Sequence, residues 1–399
     1  MSDLEMRRAT TRARVEDVMP PVGALLAAVS LTSIVYFALA PWTGLLGYGV
    51  VAYVSFLGLY ALLVSMDGDR QLVKDRIASA VAHSLALGMV VALALVVAFA
   101  MWQGRSVLTY VNFYVEDMSL AGPLEPLGVG GVLHAAVGTL VMMAFSLGLT
   151  IPLAVVCAVF LSETRGTLTR FVRTIVEAMT ALPSVVAGLF VYAVIITLQA
   201  LAGFGETSGF AASLALGVMM LPIVIRAADV VLRLVPGTLK EAAAALGAPR
   251  WRVIWHVVLP TARSGLMTAV ILGTARGVGE TAPVLLTAGY TTGFNVNPFS
   301  GPMVSLPLLT FSLTKSPEPG YIARGFGAAT VLMLLVLVLF VAARLLGGRS
   351  AGELSGRQLR RRARLSRHDL ARFGAAPLVS AGDDPVRVDR SQQLPKGDK

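Results

Sequence analysis

Eight runs of apolar residues constrain this chain more than anything else in it. They lie near residues 22–40, 44–64, 78–102, 133–162, 171–201, 209–235, 264–288 and 325–347. A helix needs about 20 residues to cross a hydrocarbon core, and these runs lack the strict alternation of a membrane barrel strand. Of the 399 residues, 56% are hydrophobic and 14% charged, against about 25% charged in an ordinary soluble domain. The expected fold class is an all-α integral membrane protein with about eight transmembrane helices. Basic residues precede the first run, as in a secretory signal, but no small-residue cleavage site separates it from the second, so it reads as a retained helix.

Arginine and lysine set the orientation, because short loops rich in them stay in the cytoplasm. The segment before the first run holds Arg7, Arg8, Arg12 and Arg14; the loop after the second holds Arg70, Lys74 and Arg76; the loop after the fourth holds Arg165, Arg170 and Arg173. The opposite loops carry Arg105, Lys315 and Arg324 alone. An even number of spans then places both termini in the cytoplasm. The net charge of +10 sits largely in these loops and the tail, so topology accounts for it and no nucleic-acid partner is expected. Cys157 lies in an apolar run and can form no disulfide within the chain, so it is packing.

Three regions follow: an N-terminal segment and hairpin of two spans over 1–66, a six-span body over 67–347, and a tail over 348–399. The tail holds Arg360, Arg361, Arg362, Arg364, Arg367 and Arg372 and then few large apolar groups. It cannot bury enough surface to fold alone, and its basic part suits a solvated cytoplasmic tail or contact with anionic membrane lipid. Two outer loops, 103–132 and 289–324, are rich in Gly and Pro and would serve as connectors or docking surfaces. Pro152, Pro183, Pro222 and Pro283 fall inside spans, where each frees a carbonyl that a packed neighbour or a cavity must satisfy.

The loop between the sixth and seventh spans, 236–263, is helical in pattern. A short helix is expected from Thr238 to Leu246, with Thr238 and Glu241 at capping-box spacing and Gly247 as terminator; a second amphipathic turn is expected from Pro249 to Val258, stopped by Pro260. The spacing of Glu241, Ala242, Ala243, Gly247, Val257, Leu259 and Pro260 resembles the coupling loop of ABC importer permeases, with Val257 where isoleucine is usual. That resemblance implies a helix that docks on a cytoplasmic ATPase subunit, Glu241 making polar contacts and Gly247 allowing the turn. The plain alternative is a capped surface helix. The chain has no Gly-x-x-x-x-Gly-Lys-Ser/Thr phosphate loop, so it is not expected to hydrolyse ATP. Gly277-Val-Gly279 mimics a dinucleotide fingerprint but follows no strand.

Ionisable residues within a span are costly and are functional candidates. Arg226, Arg276 and Glu280 fall near mid-depth. Arg276 and Glu280, four apart, share a helix face and could form an ion pair that is purely structural. Arg226 then stays uncompensated, and two cations with one carboxylate suit an oxyanion on a transport path. The four histidines, His83, His134, His256 and His368, have no ligand spacing, so neither a metal site nor a membrane enzyme is expected.

Three segments, 181–192 (Ala-Leu-Pro-Ser-Val-Val-Ala-Gly-Leu-Phe-Val-Tyr), 221–226 (Leu-Pro-Ile-Val-Ile-Arg) and 275–287 (Ala-Arg-Gly-Val-Gly-Glu-Thr-Ala-Pro-Val-Leu-Leu-Thr), resemble the phosphate importer permeases, and with Leu234-Val-Pro236 the PstA type among them. The resemblance covers about residues 78–347 and implies a six-helix permease core, to which the N-terminal hairpin and the tail are additions. It implies a second, related permease subunit, two cytoplasmic ATPase subunits that use ATP and Mg, and an external phosphate-binding protein; no cofactor would be bound by this chain. It also places Arg226, Arg276 and Glu280 on the phosphate path. An ABC permease for another oxyanion or small solute is the nearest alternative, and an ion-coupled secondary transporter the more distant one.

Overall fold

A computed structural model describes residues 15–39, 44–197, 207–347 and 365–366. The first arginines and almost all of the predicted tail lie outside the described residues. The regular structure among the described residues is all helical, with no strand. Seven helices are long and apolar enough to cross a bilayer, and a bent pair makes eight if counted as one span.

The chain divides into two compact units, residues 1–109 and 110–399. The first contains α1 (Val15–Ser33), α2 (Leu45–Asp67) and α3 (Arg70–Leu108). A π-helical turn, Ile34–Leu39, extends α1, and the Tyr36 hydroxyl donates to the carbonyl of Gly44, just ahead of α2, at 2.9 Å. Helix α3 has 39 residues, about 58 Å at the helical rise, so it extends well beyond the span expected over 78–102.

The second unit contains a short α4 (Asn112–Val115), α5 (Leu133–Glu163), α6 (Thr167–Thr180), α7 (Ser184–Val191, prolonged by a π-helical turn Tyr192–Ile196) and α8 (Gly209–Arg233). There follow α9 (Gly237–Ala245), α10 (Arg250–Val253, with a π-helical turn Ile254–Val258), α11 (Leu259–Val278), α12 (Ala282–Ala288), α13 (Leu306–Thr314) and α14 (Pro319–Gly347). Helix α8 is the axis of this unit. It is capped by Ser208, whose Oγ accepts from the Ala211 amide at 3.3 Å, and it packs against α5, α6, α7, α11 and α12.

Between two helices in lipid there is little hydrophobic drive, so close packing of small residues holds them together. The α8–α11 seam shows this. Gly265 faces Val231, Gly273 faces Val224 and Gly277 faces Met220, each too close for an added Cβ. With buried Ala269, the small residues recur every four positions along one face of α11. The pairing also fixes an antiparallel register, with residue 277 beside 220 and residue 265 beside 231.

Two spans differ from the sequence expectation. The run at 171–201 is not one straight helix but a bent pair: Thr167–Thr180 and Ser184–Ile196 meet at 107°. Pro183 disfavours helix at Leu182, and α6 carries Arg170, Arg173 and Glu177, which keep it amphipathic rather than lipid-spanning. The run at 264–288 is interrupted between Val278 and Ala282, because Pro283 cannot donate to the carbonyl one turn back and its ring crowds that carbonyl.

Candidate functional site

The loop after α8 folds into a compact helical knob. Helix α9 begins after Pro236, and no side chain caps it; Thr238 lies inside the helix, so the expected Thr238–Glu241 capping box does not form. Pro236 has preset the φ for helix entry, which leaves Thr238 past the capping position. Gly247 ends the helix at φ 78°, a left-handed conformation that glycine adopts at low cost. Its amide donates to the Ala244 carbonyl at 2.9 Å and the next amide, Ala248, to Ala243 at 3.2 Å.

Pro260 does not stop the following helix. The chain runs helically from Arg250 to Val278, with the π-helical turn just ahead of Leu259 and Pro260 in the first turn of α11. A widened turn at that point shifts the hydrogen-bond register and accommodates the missing N–H. One face of the knob is anchored in its own subunit: Ala243, Val257 and Leu259 pack on the buried cluster of Leu232, Val235, Val253 and Val258. Glu241 and Ala242 are exposed. The knob thus offers an acidic side chain and a small-residue helix face from a rigid base.

Higher in the bundle, the break between α11 and α12 carries Gly279, Glu280 and Thr281. Arg276 lies in the last turn of α11, where a cation complements the helix's negative end. Its Nε donates to Glu280 Oε1 at 2.9 Å; the arginine side chain is 57% exposed and the carboxylate 11%. Glu280 borders a small cavity with Thr139, Gly277 and Ser305. An interrupted helix inside a membrane span leaves backbone groups that need polar company, as at the binding positions of transporters built from broken helices.

Arg226 is exposed on α8, and its Nη1 donates to Thr180 Oγ1 at 3.3 Å. Through the α8–α11 register, Arg276 lies level with about residue 221, so the two arginines are separated along the helix axes by about 8 Å. Arg276 and Glu280 are brought into contact, whereas Arg226 is held by the end of α6. The segments 181–192 and 275–287 also meet, since a Cβ at Gly188 would lie 2.7 Å from Pro283 Cα.

Residues 150–350, which hold the knob together with Arg226, Arg276 and Glu280, match the family described as binding-protein-dependent transport system inner membrane component. The chain is 42% identical over 226 residues to the phosphate transport system permease protein PstA 1 of Mycobacterium tuberculosis (strain ATCC 25618 / H37Rv), covering 56% of this chain and 72% of the relative. The chain belongs to this inner-membrane permease family. To PstA of Pasteurella multocida (strain Pm70) the permease is 36% identical over 220 residues, covering 54% of the chain and 76% of the relative. An inward-facing structure of the MetNI methionine ABC transporter is similar at 21% identity and a TM-score of 0.40, over 54% of this chain and 91% of that one, a likeness too weak to transfer any feature. With its apolar helices, the permease is a multi-pass protein of the cytoplasmic membrane.

The permease has a buried carboxylate that sequence reasoning missed. Asp229 on α8 is 5% exposed. Its Oδ2 accepts from Arg173 Nη1 and its Oδ1 from Arg233 Nε, both at 2.9 Å. Both arginines also donate to the Leu161 carbonyl, in the last turn of α5, at 3.3 and 3.0 Å. Beside them Lys240 of the knob pairs with Glu163. The signal was present in sequence, since Asp229 and Arg233 have ion-pair spacing on a helix.

On the other side of the bundle, Arg324 is 1% exposed. Its guanidinium donates to the carbonyls of Gly122, Glu125, Pro126 and Val129, at 2.8 to 3.5 Å. The predicted outer loop is therefore folded around this side chain.

Proposed function

We propose that the chain is the membrane-spanning permease subunit of an ATP-driven importer for inorganic phosphate. The observation that carries this reading is the identity of 36 to 42% to permeases named PstA. The site agrees with it in chemistry: two cations and one carboxylate at mid-depth leave a net positive charge in a medium that penalises it, and a phosphate oxyanion in transit would compensate that charge.

In this reading the subunit is non-catalytic and binds no cofactor. A partner ATPase, present twice, uses ATP and Mg; a second related permease completes the path, and an external phosphate-binding protein delivers the ion. ATP binding in the ATPase pair displaces the exposed face of the knob that carries Glu241 and Ala242. The anchored base, with Ala243, Leu259 and Pro260, passes that movement to α8 and α11, whose facing register carries Arg226 and Arg276. Both termini then lie in the cytoplasm, on the side of the knob.

The test is ATP-dependent uptake of radiolabelled phosphate by membrane vesicles containing the complete importer, with arsenate, sulfate and molybdate as competitors. Uptake that requires the chain and is competed by arsenate far better than by sulfate is expected. If another oxyanion competes more strongly than unlabelled phosphate, the chain is an ABC permease for that anion. Uptake driven by an ion gradient without ATP would establish a secondary transporter instead.

A further inference from the structure

Asp229 joins the docking knob to the arginine of the anion path. Three residues, Leu234, Val235 and Pro236, separate the end of α8 from the start of α9, so the knob cannot move without loading the end of α8. At that end Asp229 gathers Arg173 from α6 and Arg233 from its own helix. Both guanidiniums reach the Leu161 carbonyl, one of the last carbonyls of α5, which have no partner within their helix. Lys240 of the knob holds Glu163 on that same turn of α5. Helices α5, α6, α8 and the knob therefore converge on one polar junction.

Helix α6 leads from this junction back to Arg226. Arg173 and Thr180 are seven residues apart, about 10 Å along the helix. Between them Val176 is buried against Val224 and Ile225 of α8. At the far end the Thr180 hydroxyl donates to the Glu177 carbonyl at 2.6 Å. Its proton is thus committed, and its lone pairs accept from Arg226 Nη1. Helix α6 and helix α8 are fastened at two points, Arg173 to Asp229 and Thr180 to Arg226. A shift of α6 at the first point reaches the guanidinium at the second.

We infer that Asp229 is a positioning residue of the transport cycle: through Arg173 it sets the place of α6, and through Thr180 the place of Arg226, in step with the knob. Stability alone does not call for a carboxylate here, because buried ion pairs are often replaceable by apolar residues at no loss. The inference rests on the reading of the knob as the ATPase dock.

The experiment is hydrogen–deuterium exchange on the complete importer in nanodiscs, with and without ATP trapped in the ATPase, together with phosphate uptake per ATP hydrolysed. In the wild type, ATP should change exchange in residues 167–180 as well as in the knob, 237–245. Arg173→Gln removes one arm while Arg233 still pairs Asp229, so it serves if Asp229→Asn fails to insert. In either variant the knob should still respond to ATP, the change at 167–180 should vanish, and phosphate moved per ATP should fall about tenfold, equivalent to losing one typical coupling energy. Asp229→Glu should restore the response in part. A purely structural residue would lower abundance and leave the response in the surviving complexes intact. The inference is overturned if residues 167–180 still respond in both variants, or never respond in the wild type. If they respond but no phosphate is moved, the substrate reading fails and the junction stands.

Discussion

Arg276 Nε lies 2.9 Å from Glu280 Oε1, and the pair spans a break in the helix rather than one unbroken turn, since α11 ends at Val278. The partners differ in exposure, with the cation more open than the carboxylate. That asymmetry suits a cation that exchanges its carboxylate for a passing oxyanion. Replacing either Arg226 or Arg276 by Gln should lower phosphate uptake at least tenfold, on the order of 1.4 kcal/mol or more, with membrane abundance and ATPase binding unchanged. Exchanging Arg276 and Glu280 with each other keeps the net charge but moves the cation by about 6 Å, and should also impair uptake. Normal radiolabelled uptake in both single arginine variants would show that these charges are structural.

Much of this arrangement is legible in the sequence, and the rest is hidden for identifiable reasons. Apolar run length locates the seven long membrane helices among the described residues, because lipid leaves no alternative to satisfying the backbone within the helix. The knob is legible from Gly247, which acts locally, although its first helix starts after Pro236 and not at the Thr238 cap that the spacing suggested. The bend before Pro183 and the break before Pro283 are not, because a proline inside a membrane run can kink, break or merely thin a helix, and neighbours decide which. Here Gly188 lets α7 approach Pro283, a contact between segments about 95 residues apart in sequence. Asp229 is legible in part, from its spacing to Arg233, whereas its other partner, Arg173, is supplied by α6 and comes only with the fold.

The turn at Gly247 gives a backbone test of the knob. Its φ of 78° costs an L-residue about 1–2 kcal/mol, and a Cβ there meets no atom of the described residues within 4 Å. Gly247→Leu should therefore insert normally but misplace the chain leading into α10, and uncouple hydrolysis from uptake. Glu241→Lys reverses the charge of the exposed knob face without straining the backbone. It should weaken ATPase co-purification and uptake together. A Glu241→Lys importer with normal ATPase binding and uptake would remove Glu241 from the dock.

Packing along α11 makes a prediction about stability rather than coupling. Gly273 faces the Val224 side chain too closely for a Cβ, and overpacking a tight contact costs about 1–3 kcal/mol. Gly273→Leu should lower the thermal unfolding midpoint of the detergent-purified protein by several degrees, as read by tryptophan fluorescence. The partnering variant Val224→Ala should relieve part of that loss. No recovery in the double variant would mean that the α8–α11 contact is not what the substitution disturbs.

The outer loops are joined by Asp117, whose titration gives a pH test. One carboxylate oxygen accepts from the Ser119 hydroxyl at 2.6 Å and from its amide at 3.1 Å; the other accepts from the Phe294 amide at 3.1 Å. The Ser119 hydroxyl, and after it the two amides, hold the carboxyl below its ordinary range against the opposing effect of partial burial. A carboxyl with a depressed folded value contributes stability that is present above its unfolded pKa and lost as pH falls through the folded one. The tie between the two loops should therefore be unchanged from neutral pH down to about 5 and loosen only below about 4. Because the group is largely open to solvent, the effect is local loosening and not unfolding. Limited pepsin cleavage within residues 116–131 should rise below that pH in the wild type beyond pepsin's own pH dependence. In Asp117→Asn, which keeps an acceptor for Ser119 but no charge, cleavage should follow pepsin's pH dependence alone. Parallel cleavage profiles for the two proteins would show that Asp117 does not hold the loops together.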